Sequence, residues 1–377
     1  MPAASPASRT IVHVAQVEIS RESGMGRVAW HWRQELEARG YRFVHLGPAA
    51  VGRPLHPALF PWAAWLRYAR LRPRPAAILV HEPAGMPFVA SRRTPAIVFS
   101  HGVERRGWEA AGDRPRQDVA VSARSRLLFP LWRLWPADVA LRRAAAVMTL
   151  NADDLAFVER RYHRRTEDVL LFRNGVYAQP AADAPRGGGR PATVLFVGSW
   201  IARKGVATLV EAAGILRRAG IMPRFVLAGT GRGAAEVLAC WPAELRPAVS
   251  VLPRFAAAEE AALYAGADVF LLPSFFEGQP LALLQAMAAG CCCVASDVAG
   301  TRDLIAHDRS GLLHPPGDAG QLAARVAECL ASAGLRERLG EGARQAVAGR
   351  GWEAVAREVI DFVEKVIARV DSRHRQR

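Results

Sequence analysis

Residues 267–303 read ADVFLLPSFFEGQPLALLQAMAAGCCCVASDVAGTRD, and the order of elements in this stretch fixes where one carboxylate must sit. Asp268–Leu272 is an apolar run of strand length, closed by Pro273 and Ser274. A loop carrying Glu277 and Gly278 follows. Pro280 opens an apolar-rich helix to about Ala289, Gly290 caps it, and Cys291–Ala295 is a second buried strand. Glu277 therefore lies at the carboxyl end of a parallel strand. Open α/β sheets bind ligands at that end, near helix N-termini.

The same pattern extends both ways. In the N-terminal half, Ile11–Val17 reads as a strand, Ser23–Gly26 as a glycine-rich turn, Arg27–Arg39 as an amphipathic helix and Tyr41–Leu46 as the next strand, which makes one βαβ unit. Further strands are expected at Ile78–His81, Ala96–Ser100, Val147–Leu150 and Val169–Phe172. Prolines and the run GGGR at Gly187–Arg190 give the following segment the composition of a linker. Strands at Thr193–Val197, Phe225–Ala228, Ser250–Leu252, Asp268–Leu272 and Cys291–Ala295 then alternate with helices, which predicts a second doubly wound sheet. The expected division is a first domain over 1–178, a linker over 179–192, a second domain over 193–350 and a C-terminal helix over 351–377.

A chain of 377 residues, 51% of them hydrophobic, suits two globular domains. No run of 18 uncharged apolar residues occurs, and the start MPAASPASRT lacks the basic and apolar regions of a secretory signal, so a cytoplasmic protein is expected. Five cysteines, three of them consecutive at Cys291–Cys293, show no disulfide framework or metal spacing and read as small core residues. The net charge of +15 is uneven: residues 1–190 hold 29 Arg and 16 acids, a balance of +13, and residues 191–377 hold only +2. Nearly all of it is arginine, because Lys204 and Lys365 are the only lysines, and this makes a lysine kept in a glycine-flanked turn notable.

The Glu277 stretch resembles the donor-site signature of the retaining glycosyltransferases of family four. These have the GT-B fold, two Rossmann-like domains facing a cleft, and show Glu-Gly with a second Glu eight positions after the first. Here that eighth position is Gln285. The resemblance implies that Glu277 contacts the transferred sugar and that position 285 holds the ribose, which an amide can still do by hydrogen bonding. FVGSWIARKG at Phe196–Gly205 resembles the family's Gly-Arg…Lys-Gly element, with Lys204 as its phosphate-binding Lys, Ser199 in place of its Arg, and Arg203 as an extra cation. Likewise Gly24 keeps the second place of the first-domain Gly-Gly loop, and His101, in FSHGVE, matches a His near the transferred sugar, with His81 as its competitor. Gly229 and Gly231 of AGTG match a glycine turn near the nucleotide, and Arg254 stands where the family lines the base pocket.

The resemblance thus implies a hexosyl-type transferase using a nucleotide-diphosphate sugar and a glycan or lipid-linked acceptor, with same-face attack and no metal. The C-terminal helix would cross back onto the first domain. Two clusters, Trp62, Trp65, Arg67, Arg70 and Trp132, Arg133, Trp135, have the make-up of interfacial helices attracted to anionic lipid or an anionic acceptor. They suggest peripheral contact with the inner face of a cell membrane and a role in polysaccharide or lipopolysaccharide synthesis. The alternatives are an altered GT-B protein, epimerase or phosphorylase-like, and a nucleic-acid binder prompted by the charge; no nucleic-acid module is present.

Overall fold

The structure, a computed structural model, describes residues 9–21, 24–52, 54–90, 94–111, 124, 127–177 and 191–376. It divides into two compact units, one from Met1–Glu109, Val121–Asn174 and Trp352–Arg377, the other chiefly from Gly175–Gly351. Most of the expected linker, residues 179–190, lies outside the described residues, as does Ser23.

The first unit holds six parallel strands: β1 Thr10–Val14, β2 Arg42–Leu46, β3 Ala77–His81, β4 Ala96–Phe99, β5 Ala146–Thr149 and β6 Val169–Leu171, in the order β2-β1-β3-β4-β5-β6. In the second unit β7 Thr193–Val197, β8 Arg224–Ala228, β9 Val249–Leu252, β10 Val269–Leu272, β11 Cys292–Ser296 and β12 Leu312–His314 run in the order β12-β11-β10-β7-β8-β9. In each sheet the chain reverses its direction of travel once, between β1 and β3 and between β7 and β10. Ligands of doubly wound sheets bind at such switch points.

Helices on both faces explain why the central strands read as continuous apolar runs. β1, β3, β4, β7, β10 and β11 are buried at every position. Phe196 and Phe270 are fully enclosed, and burying such a ring contributes about 1.5–3 kcal/mol. The consecutive cysteines obey strand alternation: Cys292 joins the core on one face of its sheet, Cys291 and Cys293 the core on the other. Cys292 Sγ stands 3.2 Å from Cys329 Sγ.

Two expectations are corrected, and the last helix lies where it was expected. The first strand ends at Val14, not Val17, and its helix spans Gly24–Ala38, so Gly24 opens the helix rather than a turn before it. The second sheet gains a sixth strand, β12, whose three residues are too short to show a pattern. The last helix, Trp352–Arg375, belongs to the first unit and lies against Gly24–Ala38. Arg39 Nη1 donates to Asp361 at 2.7 Å and to Glu364 at 2.8 Å, and His31 stacks on Trp352 with ring centroids 4.5 Å apart.

Candidate functional site

The second unit brings the expected charged residues together at the β7/β10 switch point. After β7 the chain passes Gly198 and Ser199 and makes a 3-10 turn, Ala202–Lys204, before helix Val206–Arg218. After β10 it passes Pro273 and Ser274, reaches Glu277, and enters helix Leu281–Ala288. The two loops are knitted by backbone and side chain alike: Phe275 N donates to the Arg203 carbonyl at 2.9 Å, and Arg203 Nη1 donates to the Phe276 carbonyl at 3.0 Å.

Lys204 Nζ donates to Glu277 Oε1 at 2.6 Å, Ser274 Oγ donates to the same oxygen at 2.6 Å, and Arg203 Nη1 lies 3.8 Å from Glu277 Oε2. Burial pushes the Glu277 carboxyl up, but the Lys204 and Arg203 charges and the two hydrogen bonds outweigh it and hold the group below the usual carboxylate range. Glu277 is therefore an ionised, nearly enclosed carboxylate with a cation on each side. Arg203 turns inward, onto the Glu277 loop.

Two glycines make the approach possible. Gly205 has φ +70°, and a Cβ there would stand 1.8 Å from the Pro273 carbonyl oxygen. A Cβ on Gly300 would stand 2.4 Å from the Gly278 oxygen and 2.7 Å from that of Glu277. The lysine stem passes over Gly198, 3.6 Å from where its Cβ would be. Beside this cluster, Gly229 and Gly231 turn with φ +68° and +66°, and Ser199 is exposed. Trp200 N bonds the Thr230 carbonyl at 2.8 Å, so the β7 and β8 loops are joined beyond their strands.

Other expected residues lie apart from the pair. Arg254 is exposed after β9. Gln285 is completely buried in helix Leu281–Ala288, so a ribose contact through it requires its side chain to change conformation. In the first unit Gly24 is exposed at a helix start. His101 follows β4 and bonds His81 through Nε2 at 3.0 Å, which joins the two expected competitors in one contact. Burial lowers His101 to about 3, so its ring is neutral. Ser274, the second donor to Glu277, was not singled out in the sequence, although its place three residues before the carboxylate at a strand end was a usable signal.

The tryptophan clusters share a surface of the first unit. Trp62, Trp65, Leu66, Leu131 and Trp135 are exposed, at 48%, 36%, 50%, 67% and 57%, and Arg67 and Arg70 are exposed beside them. A cavity of about 270 Å3 opens among Trp62, Trp132, Arg133 and Trp135. Arg133 departs from the expectation of a solvent-facing cation, because its Nε and Nη2 donate to the Glu104 carboxylate at 3.0 and 2.5 Å. Trp132 is half-buried against His56, with centroids 4.8 Å apart. No described helix is long and apolar enough to cross a membrane. A cavity of about 760 Å3 lined by Thr193, Arg224 and Ser250 opens at the opposite, amino-terminal end of the second sheet and holds none of the expected site residues.

Known proteins resemble the chain in sequence and in fold. Residues 191–332 match the family model described as Glycosyl transferases group 1. The chain is 30% identical over 310 residues to the D-inositol 3-phosphate glycosyltransferase of Thermobispora bispora, covering 78% of this chain and 68% of that one. It is 30% identical over 236 residues to the amylovoran biosynthesis glycosyltransferase AmsK of Erwinia amylovora, covering 60% of this chain and 53% of the relative. The chain thus spans about half the length of AmsK and about two thirds of the former. Its fold matches that of sucrose-phosphate synthase from Thermosynechococcus elongatus with a TM-score of 0.76 at 21% identity, over 96% of this chain and 99% of the other. The fold is GT-B, and the chain belongs to the glycosyl transferases group 1 family.

Proposed function

We propose that the protein is a retaining glycosyltransferase that moves a sugar from a nucleotide-diphosphate sugar to a glycan or lipid-linked acceptor, in the synthesis of a cell-envelope polysaccharide or lipopolysaccharide. The observation that carries the reading is the Lys204–Glu277 pair at the β7/β10 switch point. Lys204 has three donors and spends one on Glu277, so the others are available to a diphosphate, and Arg203 adds a second cation. These charges would stabilise the diphosphate as it leaves, with its oxygen taking the proton of the acceptor hydroxyl attacking from the same face. Glu277, held ionised, would accept hydrogen bonds from the sugar hydroxyls. With Lys204 and Arg203 to meet the charge of the phosphates, the reading requires no metal.

The relative named for amylovoran biosynthesis supports a polysaccharide product. The exposed Trp62, Trp65, Leu66 and Trp135 with Arg67 and Arg70 support peripheral contact with an anionic membrane.

The test is a screen of UDP-, GDP- and ADP-sugars, first by thermal shift and then by release of nucleoside diphosphate with and without lipid-linked acceptor in EDTA. Acceptor-dependent release in EDTA is expected. Stabilisation by no nucleotide, or release that needs an added divalent cation, would overturn the scheme.

A further inference from the structure

The first unit holds a further cavity, of about 350 Å3, at the amino-terminal end of its sheet, away from the strand ends that carry His81 and His101. Thr94 and Pro95 lead into β4 there, Ala145 precedes β5 and Asp168 precedes β6, while the last turns of helix Trp352–Arg375 supply Val370, Arg373 and His374. Arg143, which ends helix Trp135–Arg143, and Arg164 complete the charged lining. The volume falls within the range of small-molecule sites, about 300–1,000 Å3.

The cations here exceed what the acids can neutralise. Asp168, the one acid of the described lining, is divided between Arg369 Nη1 at 2.7 Å and Arg165 Nε at 3.1 Å. Arg143, Arg164 and Arg373 form no ion pair among the described residues. Backbone carbonyls hold two of the guanidiniums in place without cancelling their charge: Arg164 donates to Arg142 O at 3.2 Å and to Ala145 O at 3.3 Å, and Arg369 donates to Ala145 O at 3.4 Å. Burial lowers the Arg164 guanidinium from its ordinary value; Asp168 opposes this, and repulsion from Arg369 and Arg165 adds to it. An anion would relieve that repulsion. Thr94 adds a polar group to the lining, since it is 1% exposed and its hydroxyl has no hydrogen-bond partner.

We propose that this cavity is an anion site that takes the phosphate group of a small soluble molecule. Planar guanidiniums match phosphate oxygens in pairs, and a doubly charged group answers an excess of cations better than one carboxylate does. No exposed large apolar side chain lines the cavity among the described residues, in contrast to the tryptophan surface, so the phosphate is not that of a lipid in a bilayer. Lys204 and Arg203 belong to the other unit, so the site is separate from the one that would hold the donor diphosphate. A phosphate held here would tie the end of the C-terminal helix, through Arg373, to the segments that carry Arg143 and Arg164.

Calorimetric titration of the full chain with inorganic phosphate and with glucose 6-phosphate, at an ionic strength held constant with chloride, tests this. Arg143→Gln with Arg373→Gln, both on exposed side chains, should weaken binding of each probe about tenfold, the worth of one hydrogen bond to a charged group. Arg33→Gln with Arg42→Gln removes the same charge beside β2, at the other edge of the sheet, and should change the affinity less than about twofold, because salt screens distant charges. Lys204→Ala should keep the binding event that Arg143→Gln with Arg373→Gln weakens. No phosphate binding by the wild type, equal affinity in the two double variants, or loss of all phosphate binding in Lys204→Ala overturns the proposal. Phosphatidate vesicles binding through Arg143 and Arg373 where glucose 6-phosphate does not would overturn the soluble ligand. The titration needs no sugar donor, so failure of the glycosyl-transfer reading is seen separately.

Discussion

Replacing Lys204 by Met removes one partner of a nearly buried ion pair and leaves the Glu277 carboxylate with Ser274 and the more distant Arg203. At 2.6 Å the direct attraction is about 6 kcal/mol with an effective dielectric of 20, and the cost of desolvating both charges offsets much of it. Removing one partner of such a pair typically costs about 3–5 kcal/mol, because the other charge stays behind. Lys204→Met should therefore destabilise the second unit by about that amount in the wild-type background and by about 1 kcal/mol in the Glu277→Gln background. A double-mutant cycle read by calorimetry gives the coupling, and a value below about 0.5 kcal/mol would refute the pairing. The pH dependence has a definite sign. A carboxyl held below its unfolded value of 4.5 contributes stability above that value and loses it as pH falls through the lower folded one, so the wild type's advantage should shrink below about pH 5. The same substitution should weaken nucleoside-diphosphate binding by about 1.5–3 kcal/mol, roughly tenfold to a hundredfold, in titration calorimetry.

Three further outcomes follow from particular contacts. Gly205→Ala puts a Cβ 1.8 Å from the Pro273 oxygen at a left-handed φ, and should cost about 1–3 kcal/mol, seen as a melting transition lowered by several degrees; an unchanged melting temperature would contradict the packing. Burial, with the repulsion of Glu104 added, pushes the Glu82 carboxyl up to about 8, so its ionisation opposes folding increasingly from pH 4.5 to 8; Glu82→Gln should match the wild type near pH 4.5 and gain on it by pH 9, and a pH-independent difference would sink this. Arg67→Gln with Arg70→Gln should weaken sedimentation with anionic vesicles by about 1 kcal/mol for each charge and leave nucleotide binding intact, whereas equal binding of the wild type to neutral vesicles would contradict the membrane contact.

The parts of the site that lie close in sequence were legible because local rules place them. Apolar strand, loop, proline and helix put Glu277 after a strand end, and in the structure the strand and the helix that flank its loop begin and end within a residue of the expected bounds. Lys204 was conspicuous as one of two lysines in an arginine-rich chain. What the sequence withheld depends on tertiary neighbours. Arg203 turns inward because the Phe276 carbonyl, 73 residues on, accepts from it. Arg133 is taken by Glu104, from an element 29 residues earlier. The ring contacts of His13 with His45 and His81, each at 2.9 Å, need the strand order β2-β1-β3 as well as strand alternation, so His13 and His45 read as ordinary strand residues in the sequence, whereas His81 and His101 stand out by their place at strand ends.

The most direct measurement is the transfer activity of Glu277→Gln, with the donor found by the nucleotide screen. The amide keeps the shape of the side chain but loses the negative charge set between Lys204 and Arg203 and one of two strong acceptors for sugar hydroxyls. The variant should fold, still bind the nucleoside diphosphate, and lose most transfer. Transfer above about half of the wild-type rate would contradict a donor-site role for Glu277.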